Sequence, residues 1–469
     1  MGIVSGRFAR VGSRPPESWL TRGWVARRHA WVFRVLVRSA RWLTDLRSPV
    51  FKVGSVVPFE STKDRPHVLV LSSVFPSQVD ATVGPFVKER VAAVQRTGRW
   101  EMRVVAPTPY VPPLPFGPER WRTMARYPRE EVLEGLSIER PRYPLVPKLG
   151  GYFHDDLMYW TIRGQIGRIH REWGISLIDS HFVYPDGVVA VRLARDLGVP
   201  VVLTSRGGDI LQQGKEWRVS DRIRWAHRHG SQFVALSEEL AAAMRDLDAP
   251  PDRLTVISNG VDLQKYRPIP RDQARRELGL DLAVPLIVGV GALQERKGYH
   301  VAVQALPEVR RRVPQATLAI VGGIARHGED YSRQIEESIQ QTGMQQAVIM
   351  AGRKNPEELY RWYSAADLFL LLSSREGSPN AAMEALACGT PMVATPVGSV
   401  PQIMTCPDLG LMLKDRSVPE VTRGLSEALG RTWDRQAIRH WAEQNSWEGV
   451  AARVNEVFDK ALAGPPARR

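Results

Sequence analysis

The stretch LLSSREGSPNAAMEALACGTPMVATPVGSVPQIM, residues 371–404, decides how the rest of the chain is read. The apolar run leading into it reads as a buried strand ending at Ser373. A loop then carries Arg375, Glu376, Gly377 and Ser378, and a helix is expected from Pro379 or Asn380. Proline suits a first helical turn, and Gly389, just past Cys388, is a natural helix stop. The free N–H groups of such a helix start, with roughly half a unit of positive dipole charge, make a site for an anionic phosphate. Glu376 projects from the loop and Glu384 sits about one turn inside the helix. Both carboxylates can then face one ligand and accept hydrogen bonds from sugar or ribose hydroxyls.

Outward from this motif, short β-branched runs alternate with helix-length stretches. HVLVLSS (67–73), MRVVAP (102–107), SLIDSH (176–181), VPVVLTS (199–205) and QFVALS (232–237) read as buried parallel strands, with helices such as Phe86 to Arg96 and Gly187 to Leu197 between them. The pattern then restarts. LTVISN (254–259) leads into a turn and a polar stretch, 268–277, with helical spacing. LIVGVG (286–291), ATLAIVGG (316–323), VIMAGR (348–353), LFLLLSS (368–374) and PMVATP (391–396) follow, and Trp433 to Leu462 reads as helices, with Pro465 and Pro466 ending order. Such alternation implies parallel sheets covered on both faces. The fold class is therefore α/β: two doubly wound, Rossmann-like domains joined near residues 262–280, with a ligand cleft at the carboxyl ends of both sheets.

Composition agrees with this reading. A chain of 469 residues is too long for one ordinary core. Its 43% hydrophobic and 24% charged content describes a globular protein. No long charge-free apolar run suggests a membrane span, and the start does not read as a secretory signal. Two cysteines, Cys388 and Cys406, exclude a disulfide framework and suit a reducing interior. The net charge of +14 is uneven: residues 1–66 carry about +9 of it. Within that arm, Arg34, Arg38 and Arg41 share one helical face of Ala30 to Leu43, a pattern suited to an anionic membrane surface or to docking on the protein's own body. Because the basic excess is confined to the arm, a nucleic-acid-binding role is not expected of the remaining chain. Asp246-Leu-Asp248 spells a D-x-D, but its place before Ala-Pro-Pro reads as a surface turn, and no metal site is expected.

The arrangement of Glu376 and Glu384 within REGSPNAAMEALACGTPMVAT resembles the donor-site signature of glycosyltransferase family 4. ISNGVDLQKYRP (257–268) is similar to that family's interdomain segment, and VGVGALQERKG (288–298) to its phosphate loop. HFVYPDG (181–187), SRGGDI (205–210) and FPSQVDATVGPFVKERVAAV (75–94) resemble its N-domain cleft loops. The resemblance implies a GT-B fold with a basic extension (1–63), an acceptor domain (64–262), a donor domain (263–445) and a C-terminal helix with a tail (446–469) that packs back on the first domain. It also implies retaining transfer from a nucleotide-diphosphate sugar, which is a substrate, with no cofactor and no metal.

By that resemblance, Glu376 contacts the transferred sugar and Glu384 the ribose. Amides around Gly377, Ser378 and Asn380 help bind sugar and diphosphate, and Lys297 neutralises the departing diphosphate. Gly352 and Arg353 border the base, and Gly84 lets backbone approach the donor. The sequence departs from the family where Ala292 stands after Gly291 in place of an arginine or similar donor; Arg296 is the candidate substitute. Arg206 stands where a histidine is frequent and is assigned to acceptor or phosphate. His181 is a further catalytic candidate, and Asp186 a further residue of the cleft. A polysaccharide or lipid-linked acceptor, no nucleic acid, and a cytoplasmic, membrane-peripheral location complete the expectation. The alternatives are a GT-B epimerase and a non-catalytic binding protein.

Overall fold

A computed structural model describes residues 65–110, 119–144, 153–324 and 329–464. The expected basic helix at Ala30 to Leu43, the rest of 1–63, and Pro465 and Pro466 lie outside these residues. So does 145–152. Among the described residues, no helix is long and apolar enough to cross a membrane.

The first domain contributes β1 (His67–Leu71), β2 (Glu101–Val105), β3 (Thr108–Pro109), β4 (Glu130–Leu133), β5 (Leu136–Glu139), β6 (Arg142–Tyr143), β7 (Ile175–His181), β8 (Val201–Ser205), β9 (Gln232–Ala235) and β10 (Leu254–Val256). Eight of these form a sheet in the order β10-β9-β8-β7-β1-β2-β5-β4, parallel except for β4 against β5; β3 and β6 pair separately. The centre is covered on both faces: every residue of β1 after His67 is buried, as is all of β8. The direction of winding reverses between β1 and β7, so the loops after these strands part and leave a crevice.

The second domain holds β11 (Leu286–Val290), β12 (Thr317–Val321), β13 (Val348–Gly352), β14 (Leu368–Leu371), β15 (Met392–Ala394) and β16 (Gly410–Met412). They lie in the order β13-β12-β11-β14-β15-β16, all parallel. This is the Rossmann order, and its switch point falls between β11 and β14. The doubly wound α/β class expected from the sequence is thus the observed one. Leu254–Val256 closes the edge of the first sheet, paired with β9, because the preceding helix Glu238–Arg245 carries the chain one strand further along the same sheet.

The chain crosses between domains twice, and the crossings touch: Val261 and Ser446 form a parallel bridge. The Ser446 hydroxyl accepts from Gly449 N–H and caps the helix Trp447–Ala463. That helix buries Val450, Val454, Val457, Phe458 and Ala461, a stripe of helical spacing, against the helix Pro85–Arg96 and the first sheet at β7, β8 and β9. Trp100 Nε1 donates to Asn455 Oδ1 at 2.7 Å within this contact. Each large side chain buried there contributes roughly 1.5–3 kcal/mol, so the last helix belongs energetically to the first domain.

Candidate active site

The loops after β11 and β14 meet at the switch point of the second sheet. Lys297 Nζ lies 2.6 Å from Glu376 Oε1, and Arg296 Nη1 lies 3.2 Å from the same oxygen. The Ser373 hydroxyl donates to it at 2.6 Å. Burial works to raise the Glu376 carboxyl, but the Lys297 and Arg296 charges and these hydrogen bonds outweigh it and hold it below the usual range. Two cations thus face one carboxylate, beside the start of the helix Asn380–Ala387. Glu384, in that helix, accepts from the Tyr363 hydroxyl at 2.7 Å, and Tyr266 also bonds to it. Burial raises its pKa against both tyrosine hydrogen bonds.

A second group links the domains. Arg206, after β8, donates from Nη1 to Asn259 Oδ1 at 2.8 Å and from Nη2 to His181 Nδ1 at 2.7 Å. A guanidinium only donates, so Nδ1 must accept and the imidazole proton sits on Nε2, 3.2 Å from Asp179 Oδ2. Burial holds His181 neutral, with its pKa lowered to about 3. Burial, and then the neighbouring Arg90, lower Arg206 to about 9. The guanidinium also lies over the Phe86 ring, 5.1 Å from its centroid. Asp186 accepts from Ser73 N–H at 2.7 Å and from its hydroxyl at 2.8 Å, and burial raises it to about 7.

The structure therefore brings Glu376, Lys297 and Arg296 into one cluster. It joins Gly377, Ser378, Asn380, Arg206 and His181 in another, which meets the first through the Gly377 loop. Gly84 ends the β1 loop at φ +65°, and a Cβ there would stand 2.5 Å from the Val74 carbonyl oxygen, so its own loop already requires glycine. Gly352 and Arg353 stand at the end of β13, two strands along from β11, with Arg353 Nη2 on the Ile324 carbonyl at 2.7 Å. They do not touch the Glu376 cluster. Asp248 of the D-x-D lies in a turn at φ +65° and pairs with Arg224 at 2.7 Å. Sequence reasoning missed Asn259, Tyr266 and Tyr363 as site residues. The first two lie in the quoted interdomain segment, whereas Tyr363 carries no local signal.

Comparison with known proteins agrees with this architecture. The family described as glycosyl transferases group 1 matches residues 270–458, and Glycosyltransferase Family 4 matches residues 123–265. The D-inositol 3-phosphate glycosyltransferase of Corynebacterium urealyticum is 31% identical over 330 residues, 65% of this chain and 77% of the relative. That of Frankia alni is 31% identical over 334 residues, 66% of this chain and 81% of the relative. Sucrose-phosphate synthase from Thermosynechococcus elongatus superposes with a TM-score of 0.67 at 18% identity, covering 85% of this chain and all of that one. Anabaena HepE, solved in complex with UDP, gives 0.62 at 18% identity, covering 84% and 99%. The chain belongs to glycosyltransferase family 4, with the GT-B fold.

Proposed function

We propose that the protein moves a sugar from a nucleotide-diphosphate sugar to a polysaccharide or glycolipid acceptor, with retention at the anomeric carbon. The observation that carries the donor half is the convergence of Lys297, Arg296 and Glu376 beside the Asn380 helix start. As the anomeric C–O bond breaks, its electron pair leaves with the diphosphate, and positive character grows on the sugar ring. Lys297, Arg296 and the helix amides offset the first charge; such preorganised electrostatics is commonly the largest catalytic term. Arg296 fills the role left by Ala292. Glu376 accepts from hydroxyls of the transferred sugar once the diphosphate draws the two cations away. Glu384, steadied by Tyr266 and Tyr363, takes the ribose. Gly352 and Arg353 lie toward the base. His181, with both ring nitrogens engaged inside the protein, positions Arg206. Retention is the property of the family, and the chemistry needs no metal in this reading. Family membership weighs against the epimerase and binding-protein alternatives.

The relatives' name favours a second acceptor class for testing, a phosphorylated cyclitol. Release of nucleoside diphosphate is measured against lipid-linked sugars, oligosaccharides and inositol phosphate; stimulation by none of the three would remove the acceptor assignment. The membrane-peripheral, cytoplasmic placement rests on the arginine face of residues 30–43. Substituting Arg34, Arg38 and Arg41 by glutamine in the full chain should weaken binding to phosphatidylglycerol vesicles. Unchanged sedimentation would remove that part.

A further inference from the structure

Asn259 stands where three pieces of chain meet, in the connection after β10 that leaves the first sheet. Its Oδ1 accepts from Arg206 of the first domain at 2.8 Å. Its Nδ2 donates to Asn380 Oδ1 at 2.8 Å, and its backbone N–H donates to Ser378 Oγ at 3.2 Å, both at the helix start of the second domain. Behind Arg206 the line continues through His181 to Asp179, which Arg90 Nη2 faces at 3.3 Å. Asn259 is 5% exposed, Arg206 8%, His181 0% and Asp179 1%, so the line from Asp179 to Asn259 is buried, while Ser378 and Asn380 at its far end are partly exposed. The backbones close in at the same place: a Cβ on Gly377 would come within 2.7 Å of the Arg206 carbonyl oxygen. Nearby, Gly398 N–H donates to Glu239 Oε2 of the first domain at 3.0 Å.

A buried guanidinium is costly unless its environment compensates the charge, so a line of bonds spent on Arg206 asks for a use. We propose that Asn259 is a positioning residue for sugar transfer, coupling Arg206 of the first domain to the Ser378–Asn380 helix start that receives the donor. The amide side chain suits this place because it must accept from a guanidinium with one end and donate to an amide oxygen with the other. Alanine would lose both bonds, whereas aspartate keeps the first and regains the second when the Asn380 amide turns over to donate. With the relay intact, domain closure at Arg206 fixes the orientation of Asn380 and with it the helix amides. This inference rests on the reading of that helix start as part of the donor site.

The test uses the full chain and Asn259→Ala, in two measurements. The first is a double-mutant cycle on the urea midpoint, with Arg206→Gln and Asn380→Ala (Arg206→Lys replaces the glutamine variant if that does not fold). The relay makes the two changes non-additive in the wild-type background and additive with Asn259→Ala. Additivity in the wild-type background overturns it. The second measures UDP, GDP and ADP affinity, and turnover of their glucose conjugates. Asn259→Ala should keep nucleotide affinity within about threefold while kcat falls at least about tenfold. Wild-type kcat in the variant overturns the positioning role. A wild-type chain that binds none of the three nucleotides overturns the donor reading itself, and the role with it, and that failure is seen without any variant.

Discussion

Lys297 Nζ and Glu376 Oε1 stand 2.6 Å apart at the switch point of the second sheet, with Arg296 Nη1 3.2 Å from the same carboxylate oxygen. On the proposed donor-site reading, this pair holds two catalytic groups in each other's place, and an arriving diphosphate draws off the cations and frees the carboxylate for sugar hydroxyls. Lys297→Ala should therefore weaken nucleoside diphosphate binding about tenfold and slow transfer about a hundredfold. Glu376→Gln should slow transfer by a similar factor while nucleotide affinity stays within about threefold. Calorimetry and initial rates separate the two; a Glu376→Gln enzyme at wild-type rate contradicts the assignment.

Glu384 makes a different prediction because its partners are tyrosine hydroxyls. Tyr363 donates to it at 2.7 Å and Tyr266 bonds to it as well, which leaves the carboxylate oriented by the protein before any ribose arrives. Tyr363→Phe should reduce nucleoside diphosphate affinity by about three- to tenfold through loss of that orientation. It should leave the affinity for inorganic pyrophosphate unaltered, since Lys297 and Arg296 are untouched. Equal losses for both ligands in a calorimetric titration would argue against a ribose role.

Gly398 tests the loop geometry. It has φ +56°, and a Cβ there would stand 2.5 Å from the Gly377 carbonyl oxygen and 2.6 Å from that of Glu376. Gly398→Ala has to move the loop that carries Glu376. A fall in transfer of about tenfold or more is expected, with destabilisation of more than about 1 kcal/mol. A variant with wild-type rate and wild-type melting temperature would show that the loop tolerates displacement.

Buried histidines set an acid limit on stability. His227 donates from Nδ1 to the Leu247 carbonyl at 2.6 Å, and burial lowers its pKa to about 4 from the usual 6.5. The unfolded chain takes up the proton near 6.5 and the folded chain only near 4. The stability linked to this group is therefore full above pH 6.5 and lost as the pH falls toward 4. His227→Gln removes that dependence. The melting-temperature gap between wild type and variant should be larger at pH 7.5 than at pH 5; a gap that is constant or widens toward acid contradicts it.

Much of this was legible in residues 371–404, because a strand, a glycine-bearing loop and a capped helix each leave a local mark. The central strands β1, β8 and β14 were equally plain, since burial on both faces makes them unbroken apolar runs. The hairpin β4–β5 was not, because EEVL and LSIE alternate buried and exposed residues at the sheet edge and carry little apolar signal. β16, Gly410–Met412, is too short to announce itself. Arg206 was legible as a departure from the family's histidine. Its partners were not, because Asn259 and Asn380 meet only after the chain has crossed from one domain to the other. Tyr363 likewise reaches Glu384 through tertiary packing from the helix Leu359–Ala365.

The most direct test of the central claim is calorimetric titration of the full chain with UDP, GDP and ADP, repeated on Glu384→Ala and Lys297→Ala. The account predicts saturable binding of one nucleotide, abolished by the first substitution and reduced by the second while both variants stay folded. Binding that survives in both, or no binding of any nucleotide to the wild-type chain, would contradict a donor site at Lys297, Glu376 and Glu384.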